Sequence, residues 1–200
     1  MDWKRGAYPE FEIEDVIAAM FMLKEPIGRK SLADALGIGE GSVRTMLKKM
    51  NSKGLINSTQ RGHVLSSNGW RLLKEIESLF SEAVPVGFIE GHHAYSLKIH
   101  DPPEFKSIEL RDEAIRYFAR GAMILSVKGG RPIFPEDGRP VKDTLPELHE
   151  RLRKLDFSDG DLLIVTWAEE RFNAIKSAYH VAVSLKRSEL PDELEALLEA

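Results

Sequence analysis

Apolar residues recur at helical spacing in three stretches near the start of the chain. Between Glu12 and Lys24 they occupy positions 13, 16, 17, 20, 21 and 23, close to the 3.6-residue period of a helix. Pro26 follows this stretch and cannot continue it. Residues 29–36 and 40–53 show the same spacing, and each is followed by a glycine that can end a helix. The pattern predicts three helices, with a short turn at 37–39 between the second and the third.

Two short apolar pieces follow, separated by polar residues. Leu55-Ile56 and Val64-Leu65 flank the stretch NSTQRGH, whose Arg61-Gly62 step favours a turn. This arrangement predicts a β-hairpin. The apolar residues between Trp70 and Phe80 are then spaced as an amphipathic helix that ends near Pro85. A helix after a hairpin of this kind is a common strut in dimers, although packing in the core of its own chain is the more ordinary explanation of such a stripe.

The second half of the chain alternates between strand and helix patterns. The predicted strands cover 94–99, 122–128, 131–134 and 161–168, and the predicted helices cover 107–119, 144–155, 169–186 and a short acidic stretch from 191. A strand–helix–strand unit repeated around a hairpin is the ferredoxin-like arrangement, with two helices on one face of a four-stranded antiparallel sheet. We therefore predict two domains, residues 1–83 and 84–200.

The net charge of −4 hides an uneven distribution along the chain. Residues 24–74 carry ten Lys and Arg against three acids, 10 − 3 = +7, so the remainder carries −4 − 7 = −11. A solvated surface without a charged partner usually mixes its signs. A compact basic segment within an acidic chain therefore indicates a polyanionic partner for that segment alone.

Composition narrows the class of protein further. The longest apolar run, Val16–Leu23, is far shorter than the ~20 residues of a membrane span, so no membrane partner is expected. The first residues carry acids where a signal peptide is apolar, and cysteine is absent, which indicates a cytoplasmic protein. With a single glutamine and four asparagines, thermolabile side chains are rare, which favours a hyperthermophilic source.

The segment ADALGIGEGSVRTMLKKMNSKGLINSTQRGHVLSSNGWRLL resembles the winged helix-turn-helix domain of prokaryotic transcription regulators. The resemblance spans residues 11–80 and includes the Gly-Ile-Gly turn, the Ser-Val-Arg opening of the third helix and the Lys-Gly-Leu-Ile exit into the hairpin. It implies that the third helix enters the DNA major groove and that the hairpin, or wing, touches the backbone or the minor groove. The run IELRDEAIRYFARGAMILSVKGGR is more weakly similar to the C-terminal half of an archaeal winged-helix family whose attached domain has no assigned role.

The third helix carries polar side chains suited to DNA. Burial of its apolar residues leaves Gly41 and five polar residues towards solvent: Ser42, Arg44, Thr45, Lys48 and Lys49. The Arg44 guanidinium can grip guanine O6 and N7, whereas the two lysines are point charges for phosphates. Gly41 allows backbone N–H groups to approach a phosphate. The alternative is a solvated helix face in a winged helix that binds protein.

Arg61 lies at the tip of the predicted wing. There it contacts a phosphate or is simply an exposed turn residue, and the sequence favours neither. The predicted DNA-binding set therefore consists of Ser42, Arg44, Thr45, Lys48, Lys49 and Arg61.

No strong catalytic pattern is present. The sequence has no cysteine nucleophile, no Gly-x-Ser-x-Gly, no phosphate loop with its lysine and no His-Glu-x-x-His. We interpret the histidines at 92, 93, 100, 149 and 180 as surface or loop residues and predict no metal site, since adjacent histidines on a strand point to opposite faces. The loop GGRPIFPEDGRPVKD, at 129–143, is either an effector lid or a surface connection stiffened by proline.

Together these features predict an α+β protein, an N-terminal winged helix-turn-helix followed by a C-terminal α/β sandwich of ferredoxin-like type. The expected function is a DNA-binding transcription regulator, a homodimer that binds double-stranded DNA and responds to a small-molecule effector, with no cofactor and no catalytic activity. Two alternatives stay open. The C-terminal domain is an enzyme recruited by the winged helix, which a buried cluster of Glu, Arg and His around 129–143 would favour, or the winged helix binds protein.

Overall fold

The computed structural model of the chain describes residues 11–199. Residues 1–10, the first part of the stretch 1–15 on which the expectation of no signal peptide rests, and residue 200 lie outside the described residues. Contacts divide the chain into two compact units. Unit 1 comprises residues up to Glu75 and those from Pro191 onward, and unit 2 comprises Ile76–Leu190. Among residues 11–199, every helix is too short or too polar to cross a membrane.

Unit 1 begins with three helices and a hairpin. Its elements are α1 (Ile13–Met22), α2 (Arg29–Leu36), α3 (Glu40–Ser52), β1 (Ile56–Thr59), β2 (Gly62–Leu65) and the first part of α4 (Ser67–Leu79). This order matches the one predicted from the spacing of apolar residues. Glu12 and Asp15 form a reciprocal capping box that satisfies backbone N–H groups at the start of α1. Gly37, with a φ of 66°, ends α2 in the left-handed conformation that glycine adopts at low cost.

The last helix of the chain, α9 (Asp192–Leu198), belongs to unit 1. It contacts α1 and α3, and its Leu194 and Leu197 are fully buried. Arg71 on α4 donates a hydrogen bond to the Glu193 carboxylate at 3.0 Å. The predicted division into 1–83 and 84–200 differs from this one, because the spacing of residues along α9 does not reveal which half of the chain buries it.

Unit 2 contains a five-stranded sheet and four α-helices within Ile76–Leu190. Its strands are β3 (Val84–Ile89), β4 (His92–Ile99), β5 (Gly121–Lys128), β6 (Arg131–Ile133) and β7 (Leu162–Ala168). Its helices are α5 (Ser107–Arg116), α6 (Val141–Thr144), α7 (Pro146–Leu152) and α8 (Arg171–Lys186). The strands are ordered β3-β4-β7-β5-β6, and each neighbouring pair is antiparallel.

Strand β7 lies at the centre of this sheet, and all seven of its residues are buried. Leu163, Val165 and Trp167 belong to the core that includes Leu148 and Leu152 of α7. The alternate residues face the other layer, where the Thr166 hydroxyl donates to the Ala174 carbonyl of α8 at 2.6 Å. Helices α5 and α8 contact each other on that second face. The sheet is therefore covered by helices on both faces.

This arrangement corrects the ferredoxin-like prediction while the α+β class is confirmed. The four predicted strands correspond to β4, β5, β6 and β7, and in the sheet they lie in the order β4-β7-β5-β6. A fifth strand, β3, pairs with β4 at the edge. The prediction placed two helices on one face, whereas α7 packs on the face opposite α5 and α8. Strand neighbours are chosen by hydrogen bonding between distant segments, so the order of elements along the chain does not determine them.

The apolar pattern does not predict β3, because Pro85 and Gly87 are typical chain breakers. An edge strand tolerates proline because one side of its hydrogen-bond ladder is unpaired. The register with β4 shifts between Pro85 and Gly87. A Cβ on Gly87 would lie 1.8 Å from Nη1 of Arg151, so glycine is required for the guanidinium to lie against the strand. The Arg151 guanidinium donates to the Val86 carbonyl at 3.2 Å.

A buried tyrosine gives a test of packing in unit 2. Tyr179 on α8 is 1% exposed, and its hydroxyl accepts a hydrogen bond from the Ala83 N–H at 3.0 Å. We expect Tyr179→Phe to lower the free energy of unfolding by about 1–3 kcal/mol, because the buried N–H loses its acceptor. Chemical denaturation measures this loss. The control is Tyr95→Phe, since the half-buried Tyr95 hydroxyl has no hydrogen-bond partner within residues 11–199.

The same tyrosine predicts a pH dependence. Burial raises the pKa of Tyr179 far above its ordinary value. Because the pKa in the folded state exceeds that in the unfolded state, the associated stability is present below about pH 10 and is lost as the pH rises beyond it. The stability of the wild-type protein should therefore fall more steeply above pH ~10 than that of Tyr179→Phe. Parallel alkaline curves for the two proteins would contradict the assignment.

Candidate nucleic-acid interface

Helix α3 has one buried face and one exposed face. Its four apolar residues, Val43, Met46, Leu47 and Met50, are buried in unit 1. Helical geometry then places Gly41, Arg44, Thr45 and Lys48 together on the opposite side, at spacings of three and four residues, and all four are exposed. The apolar stripe therefore decides which polar residues of α3 are available to a partner.

The cations on this exposed face have no partner within the described part of the chain. The Arg44 and Lys48 side chains are exposed and make no ion pair or hydrogen bond with any of residues 11–199. They are one helical turn apart, a rise of about 6 Å along the axis. The Thr45 hydroxyl beside them donates to the Gly41 carbonyl at 3.2 Å. The arrangement presents a guanidinium and an ammonium group to solvent.

Ser42 and Lys49 lie on the flank of α3 and are only half-exposed. The Lys49 ammonium donates to the backbone carbonyl of Glu199 and lies 5.7 Å from the centre of the Phe11 ring. Ser42 also has an interaction within the protein. The structure thus divides the predicted residues of α3 into an exposed group, Arg44, Thr45 and Lys48, and a half-exposed flanking pair, Ser42 and Lys49, that interacts within the protein.

A backbone bridge holds the hairpin against the rest of unit 1. The Ile27 N–H donates to the His63 carbonyl at 3.0 Å, and the His63 N–H donates to the Ile27 carbonyl at 2.9 Å. A Cβ on Gly62 would lie 2.3 Å from the Ile27 carbonyl oxygen, and Gly62 has a φ of 124°. Both the close approach and the backbone conformation require glycine. The hairpin therefore has a fixed position in unit 1.

Arg61 lies in the turn between β1 and β2, as predicted. The strands pair from Ile56 with Leu65 to Thr59 with Gly62, which leaves residues 60 and 61 as the tip. The Thr59 hydroxyl donates to the Gly62 carbonyl at 2.8 Å and accepts from the Arg61 N–H at 3.2 Å. The Arg61 side chain is exposed and has no partner among the described residues.

The other basic residues of unit 1 differ in whether they are paired. Arg29 pairs with Glu40 at 3.3 Å. Arg71 pairs with Glu193 and Glu75, and these two carboxylates raise the pKa of its guanidinium. By contrast, Lys30 is exposed and unpaired within residues 11–199. Since Arg29 reaches Glu40 at the start of α3, Lys30 lies close to that end of the helix. The sequence prediction omitted Lys30, and the basic pair at 29–30 was the available signal.

Two histidines of unit 2, His100 and His180, are paired with carboxylates of the same unit. His100 and Asp161 are 3.1 Å apart. His180 lies 3.0 Å from Glu113 and stacks on Tyr117 with ring centres 4.5 Å apart. Residues 11–199 contain no group of three or more His, Asp and Glu side chains arranged to hold a metal ion.

Two known families match the two parts of the chain. Residues 12–71 match the family described as PH0730-like, N-terminal domain. Residues 90–185 match a domain of unknown function, DUF4443. The first match contains α1 to α3 and the hairpin, and the second contains most of unit 2.

A regulator and a solved structure are similar to this chain. The Central glycolytic genes regulator of Bacillus subtilis (strain 168) is 31% identical over 79 residues, which are 40% of this chain and 23% of that protein. The chain therefore spans under a quarter of that protein's length. The structure of hypothetical protein PH0730 from Pyrococcus horikoshii OT3 is 45% identical, with a TM-score of 0.88 over 94% of this chain and 100% of that chain. Because this identity extends over the full length of PH0730, the chain belongs to the same family as PH0730.

Proposed function

We propose that this chain is a DNA-binding transcription regulator and that unit 1 is a winged helix-turn-helix, with α3 as its recognition helix and β1–β2 as its wing. The observation that carries the proposal is the exposed face of α3. There the Arg44 and Lys48 side chains have no partner among residues 11–199. Two arginines elsewhere in unit 1 are paired with carboxylates. Cations that the protein leaves unpaired on one side of a helix are suited to phosphates and base edges.

The arrangement of unit 1 supports this assignment. In helix-turn-helix proteins the N-terminal residues of the recognition helix approach the base edges. Arg44 lies in that part of α3, and its planar fork matches the two acceptors of guanine. Lys48 and Arg61, at the wing tip, contact phosphates. Such contacts orient the protein on DNA but do not recognise the base sequence. Similarity to a protein named as a genes regulator supports the same function.

The proposal includes a homodimer and a small-molecule effector that acts through unit 2. Two-fold DNA sites present half-sites about 34 Å apart, and one recognition helix reads too few base pairs to be specific. The proposal assigns no catalytic activity. A winged helix that binds protein is the competing assignment, and it predicts no dependence of DNA binding on the residues named above.

The electrostatic part of the proposal is tested by salt titration. In Lys48→Ala combined with Arg61→Ala, two phosphate contacts are lost, so the slope of log K against log salt should flatten by about 0.9 per contact. Fluorescence anisotropy with a random-sequence duplex measures this slope. The charge-matched control is Arg120→Ala with Lys154→Ala, two exposed and unpaired cations of unit 2. An equal slope in wild type and the double variant would reject the proposal.

Lys49 provides a comparison within the same helix. Its ammonium is bonded to the Glu199 carbonyl, so Lys49→Ala should change the salt slope less than Lys48→Ala does. If the two single variants flatten the slope equally, Lys49 leaves that bond when DNA binds.

Specificity tests the role of Arg44. Arg44→Ala should cost about 1–3 kcal/mol on a duplex selected for tight binding and almost nothing on random duplex, because a base contact is lost. Anisotropy titrations with both duplexes at one salt concentration give the two values. Lys53→Ala, an exposed cation just beyond the end of α3, is the control. Equal losses on both duplexes would make Arg44 a phosphate contact.

A substitution at Gly41 should affect the stability of α3 and its binding to DNA in opposite directions. Nothing lies within 4 Å of the position its Cβ would occupy, so Gly41→Ala should stabilise α3 by roughly 0.5–1 kcal/mol. If a phosphate approaches the backbone here, the same variant should bind both duplexes more weakly despite its higher melting temperature. Unchanged DNA affinity would show that the start of α3 does not contact the phosphate.

A further inference from the structure

The segment at 129–143, predicted as either a lid or a stiffened connection, is held by its own hydrogen bonds in unit 2. The Asp159 carboxylate accepts from the N–H groups of Gly129 and Gly130. Further along, the Phe134 N–H donates to the Arg139 carbonyl at 2.9 Å, and the Gly138 N–H donates to the Phe134 carbonyl at 2.8 Å. These hydrogen bonds give residues 129–143 a defined shape, and the segment is called the wall below because it lines one side of a cavity.

The two ends of this wall and the helices that follow line a partly open cavity of about 330 Å³. Its polar lining consists of Arg131, Lys142, Asp143 and His149, and glycine and proline residues complete it. Small-molecule sites in proteins begin at about 300 Å³, so the cavity suits a compact ligand.

The cations of this cavity lack counter-ions. The Arg131 and Lys142 side chains, both exposed, make no ion pair or hydrogen bond with any of residues 11–199. The nearby acids have other partners, since Glu136 pairs with Arg111 at 3.6 Å and Asp137 pairs with Arg139 at 3.2 Å. Asp143 is the one carboxylate in the lining described above. The lining therefore carries a net positive charge within a unit that is otherwise rich in acids.

His149 adds an unsatisfied group to the same lining. Its Nδ1 is buried and has no hydrogen-bond partner among the described residues, while the residue as a whole is partly exposed. A buried N–H without an acceptor is rarer and costlier than a buried bare acceptor. This difference favours the tautomer with its proton on Nε2, in which His149 would be a hydrogen-bond donor for a ligand.

We propose that this cavity binds a compact oxyanion, a small molecule with a phosphate or carboxylate group and at least one hydroxyl. The Arg131 fork grips two oxygens of the anion, the Lys142 ammonium neutralises its charge, and His149 donates a third hydrogen bond. The Asp143 carboxylate accepts from the ligand's hydroxyl, which favours hydroxylated anions over bare ones. If the regulator proposal holds, this ligand is its effector, but the binding itself does not depend on that function.

Calorimetry on the full chain, without DNA, tests the site. The probes are glycerol 3-phosphate and citrate, which distinguish phosphate from carboxylate ligands, and glycerol is the uncharged comparison. We expect saturable binding of one equivalent of at least one anion and none of glycerol. Arg131→Gln with Lys142→Gln should raise Kd by at least about tenfold. Arg120→Gln with Lys154→Gln removes the same charge from surfaces outside the cavity and should change Kd by less than about twofold.

His149 gives a second arm that separates a ligand contact from a structural role. His149→Leu removes the unsatisfied Nδ1 and should melt at the wild-type temperature or above, yet raise Kd by about tenfold. His149→Asn keeps a donor and should recover part of the affinity. The proposal is overturned if neither anion binds wild type saturably, or if the folded Arg131→Gln/Lys142→Gln variant binds as wild type does. Because no DNA is present, failure here leaves the test of DNA binding unaffected.

Discussion

The burial of β7 on both faces is the constraint on which unit 2 depends. All seven residues from Leu162 to Ala168 are removed from solvent, and β4 and β5 occupy both edges of the strand. A central strand with apolar residues on both faces needs packed layers above and below it, because these layers keep water away from both faces. Helices α5 and α8 supply one layer and α6 and α7 the other. The wall at 129–143 contains β6 and the first residues of α6, so the cavity beside it follows from this two-sided cover.

In unit 1, burial of the apolar residues decides which side chains of α3 face solvent. The four apolar residues of α3 face the core, and that orientation alone places Arg44 and Lys48 outward. The same orientation turns Lys49 towards α9, where the Glu199 carbonyl accepts its hydrogen bond. Two adjacent lysines with the same chemistry therefore occupy different environments. The backbone bridge between Ile27 and His63 then fixes the hairpin that carries Arg61.

Local pattern was sufficient for most elements and for the outward face of α3. Apolar spacing predicted α1 to α3, and short apolar pieces around Arg61-Gly62 predicted the hairpin, because both signals depend on residues a few positions apart. Strand β3 escaped prediction because Pro85 and Gly87 break the pattern, and they are tolerated only at the edge that the sheet gives this strand. The spacing within α3 predicts that Lys49 is exposed and free, because local spacing gives no information about a partner that lies 150 residues away.

By itself, the sequence determined the order of most helices and strands, the α+β class, the concentration of positive charge in residues 24–74 and the exposed position of Arg44 and Lys48. Each of these follows from spacing or composition within one segment. The tertiary structure alone decided the strand order β3-β4-β7-β5-β6, the helices on both faces of the sheet, the return of α9 to unit 1 and the cavity around Arg131 and Lys142. These features depend on which distant segments exchange hydrogen bonds and exclude water together, and that choice is made by the whole folded chain.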